Sequence, residues 1–343
     1  MFLSIIIPMR NEQAFVARCL DSVLGQLDGR DDVEIICVDG ASSDGTADVV
    51  QAYVARDSRV RLIHNPDRIV PKAMNLAIRQ ARGRIILRLD CHAEYAPDYV
   101  NRCVEVLERT GADNVGGYVT TLPGNDSKVG RAIAAATSSR FGVGGSAFRT
   151  GGGEQEVDTV PFGCFRRDVF DRFGLYDERL VRNQDIELNS RIRAGGGRIV
   201  ISPDIKLTYY NRSTFRGLRQ QAFHNGLWNP YTIYLVGGGL KPRHFIPLAF
   251  VLSLICLSLA GIFWRPAWIL LGCELLAYTI AAVWFAARAA RQAQTSIGLV
   301  ALAFIQLHLA YGIGSLWGVL SAPFVFRRRE GYQVPKAISE WRA

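Results

Sequence analysis

The chain has 343 residues, 49% of them hydrophobic and 21% charged, with 40 Lys and Arg against 31 Asp and Glu for a net charge of +9. That length holds one large domain or two ordinary ones. The basic balance does not point to nucleic acid, because no aromatic-and-basic recognition motif stands in the first two thirds. The seven cysteines include no C-x-x-C pair, which argues against a disulfide framework or zinc site and for reduced thiols in a cytosolic compartment.

The N-terminus, MFLSIIIP, lacks the charged region of a signal peptide and reads as a strand, Leu3–Pro8. A helix follows over Glu12–Leu27, with Phe15, Val16, Cys19, Leu20 and Val23 at helical period. Then come a strand at Glu34–Asp39, a helix at Gly45–Arg56, a strand at Val60–His64, a helix at Pro71–Ala81, a strand at Arg84–Leu89 and a helix at Pro97–Thr110. Such alternation implies an α/β domain with right-handed crossovers and a mainly parallel sheet. The stretch from Asn114 to Thr159 is rich in glycine and reads as a mobile surface segment. After it the pattern gives a strand, a short helix, a loop, a helix from near Asp185, and a strand at Arg198–Ser202.

Basic and aromatic residues mix in RSTFRGLRQQAFHNGLWNPYTIYL, which reads as an amphipathic helix at a membrane interface. Three apolar segments close the chain, near 245–264, 267–287 and 297–324. From Phe245 to Ala287 only Arg265 and Glu274 carry charge. A bilayer-spanning helix needs roughly 20 apolar residues, so three spans are expected. Gln306, His308, Gly312 and Gly314 in the third segment leave a broken or re-entrant path open. Lys241, Arg243, Arg288 and Arg291 flank the first hairpin and put its open end in the cytoplasm. Glu274 is costly in a bilayer and needs a partner. The division expected is 1–211 for the α/β domain, 212–243 for the interfacial helix, 244–326 for the spans and 327–343 for a basic tail.

In open parallel sheets ligands bind outside the carboxyl ends of the strands. The residues there are Arg10 and Glu12, Asp39, and Asp90 and His92. Asp90 and His92 could hold a divalent ion whose shell a diphosphate completes, although a histidine beside a strand end is often purely structural. Asp39 precedes a glycine and could accept the N–H of a nucleobase. Ser42, Ser43 and Asp44 read first as helix caps. Asp185 opens a helix, where the dipole favours an acid, and it could also serve as a general base.

SIIIPMRNE, VDGASSDGT, RLDCHA, NQDIELN and QQAFHNGLWN, in that order, resemble the inverting nucleotide-sugar glycosyltransferases of family 2. The resemblance covers about Met1 to Trp228 and is similar in particular to bacterial exopolysaccharide enzymes of the succinoglycan-glucosyltransferase type. It implies a GT-A, Rossmann-like catalytic domain followed by α-helical transmembrane segments. It implies that Pro8, Arg10 and Glu12 border the uridine, that Asp39 binds uracil, and that Asp90 and His92 sit at Mg²⁺ or Mn²⁺ and the diphosphate. Asp185 would be the catalytic base. Gly163, Gln184, Gln221 and Trp228 would stand at the acceptor and diphosphate.

Three departures stand out. Asp90-Cys-His92 replaces the usual D-x-D, Gln184-Asp185 replaces Glu-Asp, and the Q-x-x-R-W of processive synthases is missing. Arg216 or Arg219 would have to supply the absent cation. The expected activity is transfer of a sugar, glucose first, from a UDP-sugar to a polyprenyl-diphosphate-linked saccharide at the bacterial inner membrane. A polyprenyl-phosphate sugar synthase, a processive synthase and a non-catalytic nucleotide-sugar-binding scaffold are the rival expectations. The partners expected are the bilayer and a homo-oligomer or polysaccharide assembly complex.

Overall fold

A computed structural model describes residues 2–145 and 147–326. The basic tail expected at 327–343 lies outside the described residues. These fall into two compact units, one of residues up to Thr120 with Gly151–Tyr209, the other of Thr121–Thr150 with residues from Tyr210 onward. The expected boundary near residue 211 therefore has a second, earlier counterpart inside the α/β sequence.

The first unit opens with β1 (Leu3–Met9), α1 (Gln13–Leu24), β2 (Val33–Asp39), α2 (Thr46–Val54), β3 (Val60–His64), α3 (Val70–Gln80) and β4 (Ile85–Arg88). It continues with β5 (Ala93–Tyr95), α4 (Tyr99–Thr110) and β6 (Asn114–Leu122). Apart from β5 and β6, where no strand is expected from the sequence, these are the expected elements, with ends moved by at most three residues. Strands β1 and β2 are continuous apolar runs, LSIIIPM and VEIICVD, and are buried along almost their whole length. Strands covered on both faces require that composition. Ile5 pairs with Ile35 on one side and Leu87 on the other, both parallel. The buried stripe of α1 is Val16, Cys19, Leu20 and Val23, the helical face its spacing dictates.

The second unit supplies α5 (Lys128–Ser138), α6 (Arg140–Val143) and α7 (Ala147–Thr150). The chain then returns through β7 (Gln155–Glu156), β8 (Cys164–Arg166), α8 (Asp168–Phe173), α9 (Gln184–Ala194) and β9 (Ile199–Tyr210). The nine-stranded sheet runs β3-β2-β1-β4-β8-β6-β9-β5, with β7 on β9. The β3-β2-β1-β4 half is parallel, whereas β8 joins β4 and β6 antiparallel. The sheet is thus parallel where helices cross over and antiparallel beyond β4.

The segment read as a mobile, partly ordered surface holds regular elements among its described residues. Its first part is strand β6, and α5 is buried along Ala132, Ile133 and Ala136. Those residues pack with Ala286, Ala290, Val300, Ala303 and Phe304 of the second unit. The last of these belong to α12 (Pro266–Gln292) and α13 (Ile297–Phe326), which follow α10 (Phe215–Val236) and α11 (Ile246–Phe263).

Among the described residues three helices are long and apolar enough to cross a bilayer, Pro242–Phe263, Pro266–Gln292 and Ile297–Phe326. Ile262, Phe263, Ile269, Leu276 and Phe324 on them are all more than 60% exposed, a display that a lipid environment makes favourable. Helix α13 is unbroken, and its polar groups are used between helices. His308 Nδ1 meets Tyr278 Oη at 2.9 Å and its Nε2 meets the Phe141 carbonyl at 2.9 Å. Arg219 donates to Gln306 at 2.7 Å. Glu274 Oε1 accepts from Ser253 of α11 at 2.5 Å, so its partner is a neighbouring helix.

The expected amphipathic helix is α10. Ala222, Gly226, Asn229, Pro230 and Thr232 are among its buried residues. At Gly226 a Cβ would fall 2.0 Å from the Tyr311 carbonyl of α13. Backbone-to-backbone packing between α10 and α13, rather than an apolar interfacial stripe, organises this helix.

Candidate active site

The carboxyl ends of β1, β2 and β4 converge on one cleft of about 170 Å³, lined among others by Pro8, Arg10, Glu12, Gly40, Asp90 and His92. Two loops build its rim. Asn11 takes a left-handed φ of 54°, and its side chain accepts the Ser43 N–H at 2.9 Å. Ser42 Oγ accepts from the Asn11 N–H at 2.9 Å, Thr46 Oγ1 from the Glu12 N–H at 2.8 Å, and Asp44 from the Gln13 N–H at 3.1 Å. The polar residues of GASSDGT are therefore structural, and they fasten one strand end to the next.

Asp39 is 2% exposed. Its Oδ2 accepts the Ser42 N–H at 3.2 Å and lies 3.8 Å from His64 Nδ1. Its Oδ1 is buried and has no partner among the described residues. A carboxylate oxygen without a donor in a dry site costs about 1–3 kcal/mol or more, so a ligand N–H aimed there would be bound strongly.

Asp90 receives a two-pronged contact from Arg88, Nε to Oδ1 at 3.1 Å and Nη2 to Oδ2 at 3.3 Å. Its N–H donates to Tyr95 Oη at 2.7 Å, which fixes the turn after β4. His92 lies in the same cleft, with Nδ1 3.0 Å from Glu12 Oε1. Among the described residues no group of three or more His, Cys, Asp or Glu side chains is gathered as a metal site.

Asp185 stands in the first turn of α9, half-buried, with Oδ1 accepting the Ile186 N–H at 2.9 Å. The loop before it is locked, because Asn75 donates to the Tyr176 carbonyl at 2.9 Å and accepts the Tyr176 N–H at 3.0 Å. Gln184 is buried, and its Oε1 has no partner among the described residues. Gly163 has a φ of 92°, and a Cβ there would lie 2.6 Å from the Phe165 ring and 2.8 Å from Asn114 Oδ1. Gln221 and Trp228 are on α10 in the second unit, where Trp228 packs edge-on against Tyr231 at 5.5 Å.

Sequence reasoning passed over Arg88, Asn65 and Arg68. The last two line the cleft from an irregular loop that has no spacing signature. Arg88 had a signal, a charged residue closing the apolar run that leads into Asp90.

The half-parallel sheet, with crossover helices on its parallel side, has the GT-A layout of a glycosyltransferase domain. Residues 4–174 match the family model described as Glycosyl transferase family 2, and the chain belongs to that family. It is similar to the Succinoglycan biosynthesis protein ExoA of Rhizobium meliloti (strain 1021), at 29% identity over 95% of this chain and 96% of the relative. It also resembles a Methanococcus voltae enzyme named dolichyl N-acetyl-alpha-D-glucosaminyl phosphate 3-beta-D-2,3-diacetamido-2,3-dideoxy-beta-D-glucuronosyltransferase, at 25% identity over 76% of this chain and 82% of that one. Among solved structures, the mannosyltransferase PcManGT from Pyrobaculum calidifontis in complex with GDP-Man and Mn²⁺ shares the fold. It superposes with a TM-score of 0.56 at 20% identity, over 92% of this chain and 87% of that one. The protein is thus a family 2 glycosyltransferase of glycan biosynthesis that carries three helices able to span a membrane.

Proposed function

We propose that the protein is an inverting transferase that moves a sugar, glucose in the first instance, from a UDP-sugar to a polyprenyl-diphosphate-linked saccharide. The reaction would take place at the cytoplasmic face of the bacterial inner membrane, in exopolysaccharide biosynthesis. The observation that carries the reading is Asp39 Oδ1, a buried acceptor without a donor among the described residues, one position before the cleft-lining Gly40. The uracil N–H is the complementary group. The cleft is smaller than the roughly 300–1,000 Å³ of enclosed ligand pockets, so it suits the nucleoside part and leaves the diphosphate and sugar over the strand ends. Pro8 and Glu12 border the uridine, and the exposed guanidinium of Arg10 is available to a phosphate.

Asp185 takes the proton of an acceptor hydroxyl as its oxygen attacks the anomeric carbon. The bond to the UDP oxygen breaks on the opposite side, its electron pair leaves with UDP, and the configuration inverts. The family resemblance gives Gly163, Gln184, Gln221 and Trp228 roles at the acceptor and diphosphate.

The donor set is compatible with Mg²⁺ or Mn²⁺. A carboxylate offers about four lone-pair directions, and Arg88 occupies two of those on Asp90. Asp90 and His92 would hold an ion that draws its remaining ligands from diphosphate and water. When bound, such an ion neutralises charge on the departing diphosphate. The lipid-linked acceptor is supported by the apolar helices and by the dolichyl-phosphate substrate in the name of one relative.

The test is UDP release by purified protein in lipid, with UDP-glucose, a membrane extract rich in polyprenyl-linked glycans, and a divalent ion. Release that needs extract and stops with EDTA is the expected result. Release that survives EDTA removes the ion from the reading. No release with a panel of UDP- and GDP-sugars overturns the reading. Product size separates one added sugar from a ladder or a monosaccharide-phosphate lipid.

A further inference from the structure

We propose that one corner of the second unit, built by Lys128, Arg288 and Arg291 beside Trp284, is a docking surface for the anionic phospholipid headgroups of the surrounding leaflet. This rests on the bilayer placement proposed above and is independent of the sugar chemistry. The positive charge of the protein is unevenly spread. Among the described residues the first unit has 23 Lys and Arg against 27 Asp and Glu, whereas the second has 12 against two acids, Asp126 and Glu274. Asp126 is bound to Arg131 at 2.6 Å, and Glu274 to Ser253 at 2.5 Å. With both engaged, no acid among the described residues of this unit is left for Lys128, Arg288 and Arg291, which are all exposed.

Packing brings the three cations to one place. Ala286 and Ala290 of α12 and Val300 of α13 are buried against Ala132, Ile133 and Ala136 of α5. Beyond that contact, in the turn between α12 and α13, Thr295 Oγ1 donates to the Lys128 carbonyl at 2.8 Å, and its N–H donates to the Ala290 carbonyl at 3.1 Å. The first residue of α5 is thereby pinned to the end of α12, whose last turns carry Arg288 and Arg291. Arg288 lies one turn beyond Trp284, and its guanidinium carbon sits 4.7 Å from the centre of that ring. Long helical side chains lean toward the helix N-terminus, which here is the apolar part of the span. Ile280 and Trp284 are 62% and 52% exposed, so bare apolar surface ends where the cations begin. An indole at such a border belongs to the headgroup layer. The ring covers one face of the Arg288 guanidinium and leaves its edge to grip a phosphate with parallel N–H bonds. A zwitterionic headgroup brings its own cation and compensates three like charges poorly. An anionic one brings a net negative charge, and the bilayer concentrates it at the depth of Trp284. Each Lys or Arg close to an anionic leaflet is worth roughly fivefold in association.

The test places the full-length protein in vesicles of phosphatidylcholine and phosphatidylglycerol in equal parts, with one lipid at a time carrying brominated chains, and follows tryptophan fluorescence. Subtracting the signal of Trp284→Phe isolates Trp284. Phosphatidylglycerol should be favoured over phosphatidylcholine there by about fivefold or more in relative association, the worth of at least one cation. The triple variant Lys128→Gln, Arg288→Gln, Arg291→Gln should bring that ratio to about one. Arg288→Lys with Arg291→Lys should keep most of it, because the charge survives and only the fork is lost. Raising salt from about 0.1 M to about 1 M should shrink the wild-type ratio, as the screening length falls from about 10 to about 3 Å. Should the triple variant fail to fold, Arg291→Gln and the salt series decide, and a ratio that neither lowers overturns the proposal. Equal quenching by the two lipids in wild type, or a ratio kept by the triple variant, also overturns it. So does a ratio abolished by inorganic phosphate at constant ionic strength, which assigns the corner to a soluble anion. A ratio abolished by a trace of polyprenyl phosphate assigns it to the acceptor lipid and overturns the proposal equally. No quenching by either brominated lipid takes Trp284 out of the bilayer, and then the placement itself falls.

Discussion

Replacing Asp39 with Asn tests the nucleobase site with almost no change of shape. The wild-type carboxylate presents two acceptors to two directions. Oδ2 accepts the Ser42 N–H at 3.2 Å, and Oδ1 is buried without a partner among the described residues. An asparagine has one acceptor and one donor. Turned one way, it offers N–H to the base N–H. Turned the other way, it satisfies the base and points N–H at the Ser42 N–H. Either choice forfeits one charge-assisted bond in a site 2% exposed, at about 1.5–3 kcal/mol. That is about 10- to 150-fold in affinity. Calorimetry with UDP should show this loss, and uridine alone should show the same factor because the contact is to the base. A folded Asp39→Asn protein that binds UDP within threefold of wild type would refute the assignment.

Three further outcomes follow from the same structure. Asp185→Asn should lower kcat by about 10²–10⁴, the usual worth of a general base, while UDP affinity measured by calorimetry stays near wild type. Glu34, 1% exposed, has burial pushing its pKa up. The Arg82 N–H, Ser4 and Arg61 more than reverse that, leaving the carboxyl below its usual value of 4.5. A depressed carboxyl contributes stability that is present above 4.5 and lost as pH falls through its folded pKa. Glu34→Gln should therefore destabilise the protein by about 1–3 kcal/mol at pH 7, and urea midpoints should show the gap closing toward pH 3. In α10 and α12 two glycines should behave oppositely. Gly226→Ala puts a Cβ 2.0 Å from the Tyr311 carbonyl, whereas Gly272 has nothing within 4 Å. The first should cost about 1–3 kcal/mol in detergent-solubilised protein, and Gly272→Ala should leave the thermal midpoint unchanged or raise it.

The α/β half of the molecule was legible because its rules are local. Apolar runs such as SIIIP and EIICV can only be buried strands, and the polar residues at their ends then share one edge. That logic groups Arg10, Glu12, Asp90 and His92, which do line one cleft, together with Asp39, whose neighbour Gly40 lines it. It failed where glycine has two meanings. Around residue 117 glycine looked like a mark of mobility, yet Gly117 is there because a Cβ would fall 2.0 Å from the Ile205 carbonyl inside the sheet. The same ambiguity hid the packing of α10, whose contact with α13 is made by small residues and backbone and so leaves no apolar stripe. Arg88 was overlooked for another reason. A charge in a strand reads as a surface position, yet Arg88 is buried and forked onto Asp90.

The detour of residues 121–150 into the second unit has a practical side. Gene fragments ending near residue 211 look like a natural water-soluble enzyme when judged by hydropathy. Such a fragment would keep α5 but lose the α12 and α13 surfaces that cover Ala132, Ile133 and Ala136. It would leave an apolar helix face bare and should aggregate or need detergent, although every strand of the catalytic sheet is retained. A soluble version requires excision of 121–150 as well, with a short linker between β6 and β7. The catalytic sequence thus carries a helix, α5, whose apolar face is covered by the C-terminal helices.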